Sequence, residues 1–249
     1  MKKVLLASTT LIVAGAFATP ASARPPAPMP YSWTGCYVGA HVGAGWSSTG
    51  FSDDGFFVTT PGQVARIQSA GGFVGGGQVG CDYQFASNWL VGLAGDFSWA
   101  GIDGRGDDPF FGGKNGIAPL TLRARTDFLG SATARVGYSW NNNLFYGKGG
   151  VAWVHNNYEA NNFECVIFGG ACFSSASATQ TGWTLGAGFE WAFAPRWSVL
   201  VEYDHYGFAN NTLTFTDPGH PANPADIRVN PSLDVVKVGV NYRFGGLFR

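Results

Sequence analysis

The stretch Leu120–Trp140 alternates between two kinds of residue at every second position. Its even positions are mostly apolar, whereas its odd positions include four charged residues: Arg123, Arg125, Asp127 and Arg135. Because side chains of a β-strand alternate between its faces, this period of two predicts one strand with two unlike faces. The run is far longer than the roughly 5–6 residues of an ordinary strand. Such a strand suits a transmembrane β-barrel, where one face meets lipid and the other meets the lumen.

Seven further segments show the same alternation, so the chain has eight predicted strands. The seven are residues 33–46, 69–85, 89–101, 144–158, 179–193, 197–208 and 232–244. Tight turns alternate with four long connections, at residues 47–68, 103–119, 159–178 and 209–231. Short periplasmic turns and long extracellular loops alternate in this way in outer-membrane barrels. We therefore predict an all-β fold, an eight-stranded antiparallel up-and-down transmembrane β-barrel.

A soluble β-sandwich or a lipocalin-like barrel is the alternative fold. Such folds bury their apolar side chains and expose their polar ones. Here charges at successive positions of one face would make a poor dry core, which favours the barrel with its apolar face outward. Trp33 and Trp46, at the two ends of the first strand, fit membrane interfaces, where aromatic residues gather.

The N-terminus predicts export. Lys2 and Lys3 precede an apolar run and the small residues Ala21-Ser22-Ala23, which is the pattern of a signal peptide over residues 1–23 with cleavage after Ala23. A single membrane-anchoring helix is the alternative, although the run is short of the roughly 20 residues that a span needs. Residues 24–32 form a proline-rich periplasmic tether, and residues 33–249 form the barrel domain. We expect an outer-membrane location with both termini in the periplasm.

The inward face of the predicted barrel collects six acidic and six basic residues. They are Asp82, Asp96, Arg123, Arg125, Asp127, Arg135, Lys148, Glu190, Glu202, Asp204, Lys237 and Arg243. An unpaired buried charge is costly, so we expect these charges to pair as a lumenal network. An eight-stranded barrel is just wide enough to be filled by its own side chains, which predicts a plugged interior. A narrow ion path along the network is the alternative.

Four cysteines in an exported chain predict disulfides. Cys165 and Cys172 lie in one predicted loop, where a bond between them would staple that loop. Cys36 and Cys81 share the outward face near the periplasmic ends of the first two strands, and we predict a cross-strand bond there. Two free thiols facing lipid are the alternative for this second pair.

Other motifs point away from catalysis and cofactors. Residues 75–80 match the glycine pattern of a dinucleotide site, but no helical period follows them. Asp204-His205, with Ser47 and Ser48, resembles the residue set of lipid A acyltransferases, yet neighbouring residues on a strand point to opposite faces. No zinc or calcium spacing occurs. We therefore expect no cofactor, no metal and no enzymatic activity.

These segments resemble a known family, the small eight-stranded outer-membrane β-barrels of Gram-negative bacteria. The family comprises porin-family and outer-membrane immunogenic proteins and is related to opacity-type adhesins. The resemblance lies in the signal peptide, WTGCYVGAHVGAGW at residues 33–46, the glycine-rich second strand and VVKVGVNYRF at residues 235–244. It implies an outer-membrane protein with antigenic loops that serves envelope integrity, adhesion or limited permeation. Phe244 or Phe248 would supply the terminal aromatic residue read by the barrel assembly machinery, although the chain ends on Arg249.

The partners that we expect follow from this location. They are outer-membrane lipid and lipopolysaccharide, the barrel assembly machinery, and an unknown extracellular ligand bound through the four loops. After cleavage thirteen basic residues face sixteen acidic ones, so we expect no nucleic-acid partner. The leading hypothesis is a structural and surface-interaction barrel. The alternatives are a low-conductance channel for small solutes and a receptor for haem or a host ligand, suggested by the apolar loop residues Phe110, Phe111, Ile167 and Phe168.

Overall fold

The computed structural model describes residues 31–53, 64–85, 88–107, 121–161, 173–209, 211–215 and 225–244. These residues form nine strands: β1 Gly35–Asp53, β2 Val64–Phe85, β3 Trp89–Asp107, β4 Thr121–Trp140, β5 Asn143–Asn161, β6 Phe173–Ala194, β7 Trp197–Phe208, β8 Asn211–Phe215 and β9 Ala225–Phe244. The predicted signal peptide with its cleavage after Ala23, most of the tether, the pair Cys165–Cys172 and Phe248 lie outside the described residues. No helix long and apolar enough to span a membrane occurs in the described ranges.

The sheet closes on itself. Strands β1 to β7 pair in sequence order, β7 pairs with β9, and β9 pairs with β1, always antiparallel. Ala40 on β1, for example, lies between Gly77 of β2 and Val240 of β9. The short strand β8 pairs only with the start of β9, beyond the closed part of the sheet. The prediction of an eight-stranded antiparallel barrel is confirmed.

The strands extend into all four predicted loops. β1 continues to Asp53, β3 to Asp107 and β5 to Asn161, while β6 already begins at Phe173. The fourth predicted loop, residues 209–231, contains β8 and the start of β9. The predicted loop boundaries were therefore wrong, because backbone pairing continues into polar sequence where the apolar alternation ends. We call this the loop end of the barrel. The turn end carries the tight turns at residues 141–142 and 195–196.

The two faces of the wall are inverted relative to a water-soluble barrel. Leu93 on the outer face of β3 is 69% exposed, whereas Lys237 on the inner face of β9 is 1% exposed. Aromatic residues form a belt at each end of the outer face. The loop-end belt contains Trp46, Trp99, Trp153 and Trp183, and the turn-end belt contains Trp89, Tyr138, Trp140, Trp191 and Trp197. Trp89 and Trp99 lie ten positions apart, which matches the roughly 9–11 residues of a tilted transmembrane strand.

A disulfide joins Cys36 of β1 to Cys81 of β2 on the outer face near the turn end. The two residues are directly opposite in the β1–β2 register, with their Cα atoms 3.9 Å apart. The bond closes a covalent loop around the first hairpin of the barrel. Cross-linking of this kind stabilises a fold mainly by restricting the unfolded chain.

Candidate functional site: the barrel interior

Four charged side chains form a compact cluster inside the turn end, which we call the arginine cluster: Asp82, Arg135, Glu190 and Arg243. Arg135 donates two hydrogen bonds to the carboxylate of Asp82, at 2.7 and 2.5 Å. Arg243 Nη1 donates to the same carboxylate at 2.9 Å. Glu190 lies 3.4 Å from Arg135 and 3.5 Å from Arg243. Two guanidinium groups and two carboxylates balance where all four side chains are buried, and such pairing is the condition for burying charge.

Aromatic rings enclose the arginine cluster. The guanidinium of Arg135 lies 5.0 Å from the ring centre of Tyr37 and 4.6 Å from that of Tyr146. Arg243 lies 5.2 Å from the ring of Trp33 and 5.1 Å from Tyr37. These distances suit cation–π attraction, which strengthens when the groups are desolvated. The rings thereby replace part of the hydration that the arginines lose.

A second group of charges, the lysine cluster, occupies the middle of the lumen: Asp96, Lys148, Glu202, Asp204 and Lys237. Lys148 Nζ lies 2.7 Å from Glu202 and 3.1 Å from Asp204. Lys237 Nζ lies 2.9 Å from Glu202 and 2.7 Å from Asp204. Asp96 is 3.4 Å from Lys148 and accepts a hydrogen bond from Ser131 at 2.6 Å. Two lysines therefore bridge three carboxylates contributed by strands on opposite sides of the barrel.

Uncharged polar residues connect the two clusters. Tyr146, which lies against Arg135, donates a hydrogen bond to Glu202 at 2.6 Å. Asn241 donates to Glu190 at 3.0 Å and accepts from Gln78 at 2.6 Å. Gln78 in turn contacts Nδ1 of His41 at 3.0 Å. The polar interior is thus one continuous network, in which each member restricts the positions of its neighbours.

Apolar side chains close the lumen on both sides of the charges. These apolar layers were not predicted from the sequence, where only the inward charges were considered. At the loop end a buried cluster is formed by Val74, Ala100, Ile102, Leu129, Ala152, Val154, Tyr206, Phe208, Leu233 and Val235. At the turn end Trp33 packs with Leu90, Leu144, Tyr146 and Ala192 from the far wall. The sequence did contain a sign of these layers, because their strand residues occupy the same inward-facing alternate positions as the charges. Their layers cover the charge network at both ends.

Trp33 differs from its prediction. It was expected at the membrane interface, but it is fully buried inside the turn end. Its backbone carbonyl accepts a hydrogen bond from Arg243 at 2.6 Å, and its amide donates to Gln84 at 3.0 Å. Tyr31 stacks edge-on against it, with ring centres 4.8 Å apart. The segment before β1 therefore folds into the barrel mouth, where the indole fills space that strand residues leave open.

Little free volume remains among the described side chains of the interior. A cavity of about 20 Å³ lies between the two charge clusters, lined by Arg135, Lys148, Asp96, Glu202 and neighbouring residues. A second, of about 10 Å³, lies at the loop end beside Thr126, Asn156 and Phe208. A cavity of roughly 10–15 Å³ by this measure holds one water molecule. Water-sized spaces of this kind agree with the predicted plugged interior.

Three of the twelve predicted lumenal charges lie elsewhere. Arg123 and Arg125 lie on the loop-end side of a register shift between β4 and β5, and Asp127 is the extra residue at that shift, between Thr126 and Phe128. A bulge adds one residue to a strand and so reverses the face of every residue beyond it. Thr126 is accordingly buried in the lumen, whereas the Arg125 side chain is 56% exposed. The prediction that these three charges face inward was wrong, because counting alternate residues along a strand cannot detect a bulge.

The three residues form surface pairs instead. Arg123 binds Asp103 at 2.5 Å and lies 3.4 Å from Glu159, while Arg125 lies 2.8 Å from Asp127. The hydrogen bond from Arg123 holds the pKa of Asp103 below its ordinary value. Exposed pairs of this kind contribute little to the free energy of unfolding, because solvent screens their charges. The other nine predicted residues all lie in the two buried clusters.

Glycines make room for the buried carboxylates. A Cβ at Gly92 on β3 would overlap Oδ1 of Asp82 on β2, and one at Gly186 on β6 would overlap Oδ1 of Asp204 on β7. The carboxylates therefore lie across the backbone of the neighbouring strand, a close approach that any side chain would prevent. This accounts for part of the high glycine content of the chain.

Replacing Gly92 with alanine is expected to lower the free energy of unfolding by about 1–3 kcal/mol, because Asp82 must leave its bonds with Arg135 and Arg243. Urea unfolding of the folded barrel in lipid vesicles measures the change. Gly95 is the matched control on the same strand, since its nearest neighbour for an added Cβ is 3.6 Å away. An equal effect of Gly92→Ala and Gly95→Ala would contradict the explanation.

A closed strand barrel with an apolar aromatic wall and an ion-paired interior defines an integral outer-membrane β-barrel protein. Comparison with known sequences agrees with this class. The chain belongs to the family described as "Outer membrane protein beta-barrel domain", whose model matches residues 9–244. It lies in the outer membrane of a Gram-negative bacterium, as the sequence predicted.

Two relatives cover almost the full chain. The 31 kDa outer-membrane immunogenic protein of Brucella melitensis is 30% identical, over 98% of this chain and 100% of that protein. The 25 kDa outer-membrane immunogenic protein of Brucella abortus is 29% identical, over 98% of this chain and 99% of that protein. Among solved structures, the outer membrane protease OmpT of Escherichia coli has a TM-score of 0.52 at 10% identity, covering 87% of this chain and 99% of OmpT. That likeness shows the fold alone.

Proposed function

We propose that this protein is a closed structural barrel that supports the outer membrane and presents its loop end to the outside. The observation that carries the proposal is the packed interior, in which two charge clusters lie between two apolar layers. The immunogenic character named for the Brucella relatives supports surface presentation of the loops. Extracellular partners would then contact the loops rather than enter the lumen.

A closed interior also argues against catalysis and permeation. The described cavities have room for about one water molecule each, so neither of them can hold a substrate beside the buried carboxylates. The cations that line the arginine and lysine clusters are all paired with carboxylates, so an ion crossing the lumen would have to break several buried pairs. We therefore propose that the barrel acts by presenting a surface, without an enzymatic step.

Planar-bilayer recording of the purified, refolded protein tests closure. We expect no steady conductance steps under conditions where a large porin, added as a positive control, gives stable openings. Trp33→Ala is the informative variant, because it removes the largest side chain of the turn-end layer but leaves the loop-end apolar layer unchanged. It should stay closed, since either layer suffices. Steady openings of the unmodified protein would overturn the closed-barrel proposal and favour the channel.

Surface presentation needs a separate test. A short epitope inserted at position 112, within the predicted loop 103–119, should bind antibody on intact cells. The same epitope inserted between Asn141 and Asn142, in a turn-end turn, should bind antibody only after the outer membrane is permeabilised. Labelling of the turn-end epitope on intact cells would contradict the orientation on which the proposal depends.

A further inference from the structure

Three arginines lie together on the outer wall at the loop end, and we call them the rim arginines: Arg105 of β3 with Arg123 and Arg125 of β4. The extra residue of β4 places the last two there, because without it they would face the lumen. No other lysine or arginine whose side chain is described lies on the outer wall at this end of the barrel. The bulge therefore collects three positive charges on one face.

The β3–β4 register places two of these charges face to face. Arg105 lies directly opposite Arg123, and Asp103 lies directly opposite Arg125. Like charges in directly opposite positions repel each other. Glu159 of β5 lies on the far side of Arg123 from Arg105. The hydrogen bond from Arg123, together with the charges of Arg105 and Arg125, keeps the pKa of Asp103 below its ordinary value, so one aspartate serves three guanidinium groups.

The aspartates beside the rim arginines are already bound. Both oxygens of Asp103 accept hydrogen bonds from Arg123. Oδ1 of Asp127 lies 2.8 Å from Nε of Arg125, and its Oδ2 accepts a hydrogen bond from Asn157. Each oxygen of the two aspartates thus has a donor of the chain beside it.

Two of the guanidinium groups, in contrast, keep free donors. Arg105 is exposed and makes no hydrogen bond or ion pair within the described part of the chain. Arg125 is 56% exposed, approaches Asp127 through Nε, and donates no hydrogen bond from its terminal nitrogens to a described residue. Arginine is not deprotonated in proteins. The groups left without a partner are therefore permanent cations with N–H donors, which select an anion with several acceptor oxygens.

The rim arginines lie just outside the hydrocarbon. Asp103 follows Trp99 of the loop-end belt by four residues, and four residues of a tilted strand advance about 10 Å. Tryptophans of such a belt mark the boundary between hydrocarbon and headgroups. Long arginine side chains keep their charged ends in the polar zone. In the proposed orientation the free donors therefore face the headgroups of the outer leaflet.

We propose that Arg105 and Arg125 bind a phosphate group of a phosphorylated glycolipid in the outer leaflet. The two residues are diagonal neighbours on one face, about 7–8 Å apart, so their guanidinium groups can hold one phosphate between them through paired N–H···O bonds. The phosphate would supply the negative charge that the facing arginines lack. The inference deepens the proposed surface role by naming one lipid contact, and it rests on the proposed orientation rather than on closure of the lumen.

The test uses the full mature chain refolded in phosphatidylcholine nanodiscs, to which bisphosphorylated lipid A is added. Binding is read by native mass spectrometry as lipid A retained per barrel. Arg105→Gln removes no hydrogen bond of the described fold and is expected to weaken binding about tenfold, the effect of losing one guanidinium–phosphate contact. Arg196→Gln is the matched control, because Arg196 is an exposed arginine of a turn-end turn that donates to the hydroxyl of Tyr242. Its binding should stay equal to that of the unmodified protein.

Further arms identify the ligand. Lipid A without phosphates should bind the unmodified protein at least as weakly as Arg105→Gln binds the bisphosphorylated form. Asp103→Asn should bind lipid A more tightly, since the Asp103 carboxylate competes with the phosphate for the guanidinium groups. Unchanged or weaker binding by Asp103→Asn would overturn the proposal, and so would equal binding by Arg105→Gln and the unmodified protein.

Excess inorganic phosphate should leave lipid A bound, because the acyl chains hold the glycolipid in the bilayer. Displacement would assign the site to free phosphate and overturn the lipid proposal. Circular dichroism confirms that each variant is folded. Lipid A is present in both leaflets of the nanodisc, so the result is independent of the orientation that the epitope test measures and of the bilayer test of closure.

Discussion

Replacing Asp82 with alanine is expected to lower the free energy of unfolding by about 3–5 kcal/mol, one of the two largest effects of a single substitution that we predict. Asp82 is the only carboxylate among the described residues that binds Arg135 through two hydrogen bonds and Arg243 through a third. Its loss leaves two buried guanidinium groups with one carboxylate, Glu190, which lies 3.4 Å or more from each. Urea unfolding in lipid vesicles measures the effect.

A surface pair of the same chemistry is the control for Asp82. Asp103 binds Arg123 through two nitrogens of the guanidinium, but both side chains are about one-third exposed. Asp103→Ala should therefore cost no more than about 1 kcal/mol. Similar losses for Asp82→Ala and Asp103→Ala would mean that the interior is hydrated, and would contradict the packed lumen. The comparison isolates burial, since both sites join an aspartate to an arginine.

Leu93→Arg is expected to lower the free energy of unfolding by about 2–4 kcal/mol, although Leu93 is one of the most exposed side chains of the barrel. Leu93 lies on the outer face between Trp89 and Trp99, near the middle of the apolar band. In water an exposed leucine would tolerate arginine. In lipid the guanidinium has no hydration, so the folded, inserted state loses stability. Folding into vesicles at a series of urea concentrations measures the loss.

The control for Leu93→Arg is the same kind of substitution at an outward position outside the apolar band. Ser48 also faces outward on its strand but lies beyond Trp46, past the loop-end belt. Ser48→Arg should change the free energy of unfolding by about 0–1 kcal/mol, because arginine near the interface stays hydrated. If Leu93→Arg proved as harmless as Ser48→Arg, the outer face would have to be in contact with water rather than lipid.

The wall of the barrel follows from local sequence. An alternation of period two requires no information about distant residues, because each strand residue points opposite to its neighbours. The outward positions of Leu93, Trp99 and Val240 and the inward positions of Asp82 and Lys237 were all predictable in this way. The shared outward face of Cys36 and Cys81 was predictable too, whereas their position directly opposite each other depends on the β1–β2 register.

The local rule fails where the backbone is irregular. The bulge at Asp127 reverses the faces of Arg123 and Arg125. No residue type in that stretch indicates that a bulge occurs there. The same holds for β8 and the extended strand ends, whose pairing depends on neighbouring strands rather than on their own pattern. Predictions by parity are therefore accurate within a regular segment and unreliable beyond its first irregularity.

The sequence by itself determined that this protein has eight two-faced strands, an outward apolar wall and a charged interior. Only the tertiary structure decided which charges meet, because partners such as Asp82 and Arg135, or Lys148 and Glu202, come from strands far apart in the chain. Closure of the lumen was likewise a tertiary outcome: Trp33 and the apolar layers fill a space that exists only after β9 pairs with β1. Strand faces are set by steric rules within one segment, whereas ion pairs and packing depend on register and on the diameter of the closed barrel.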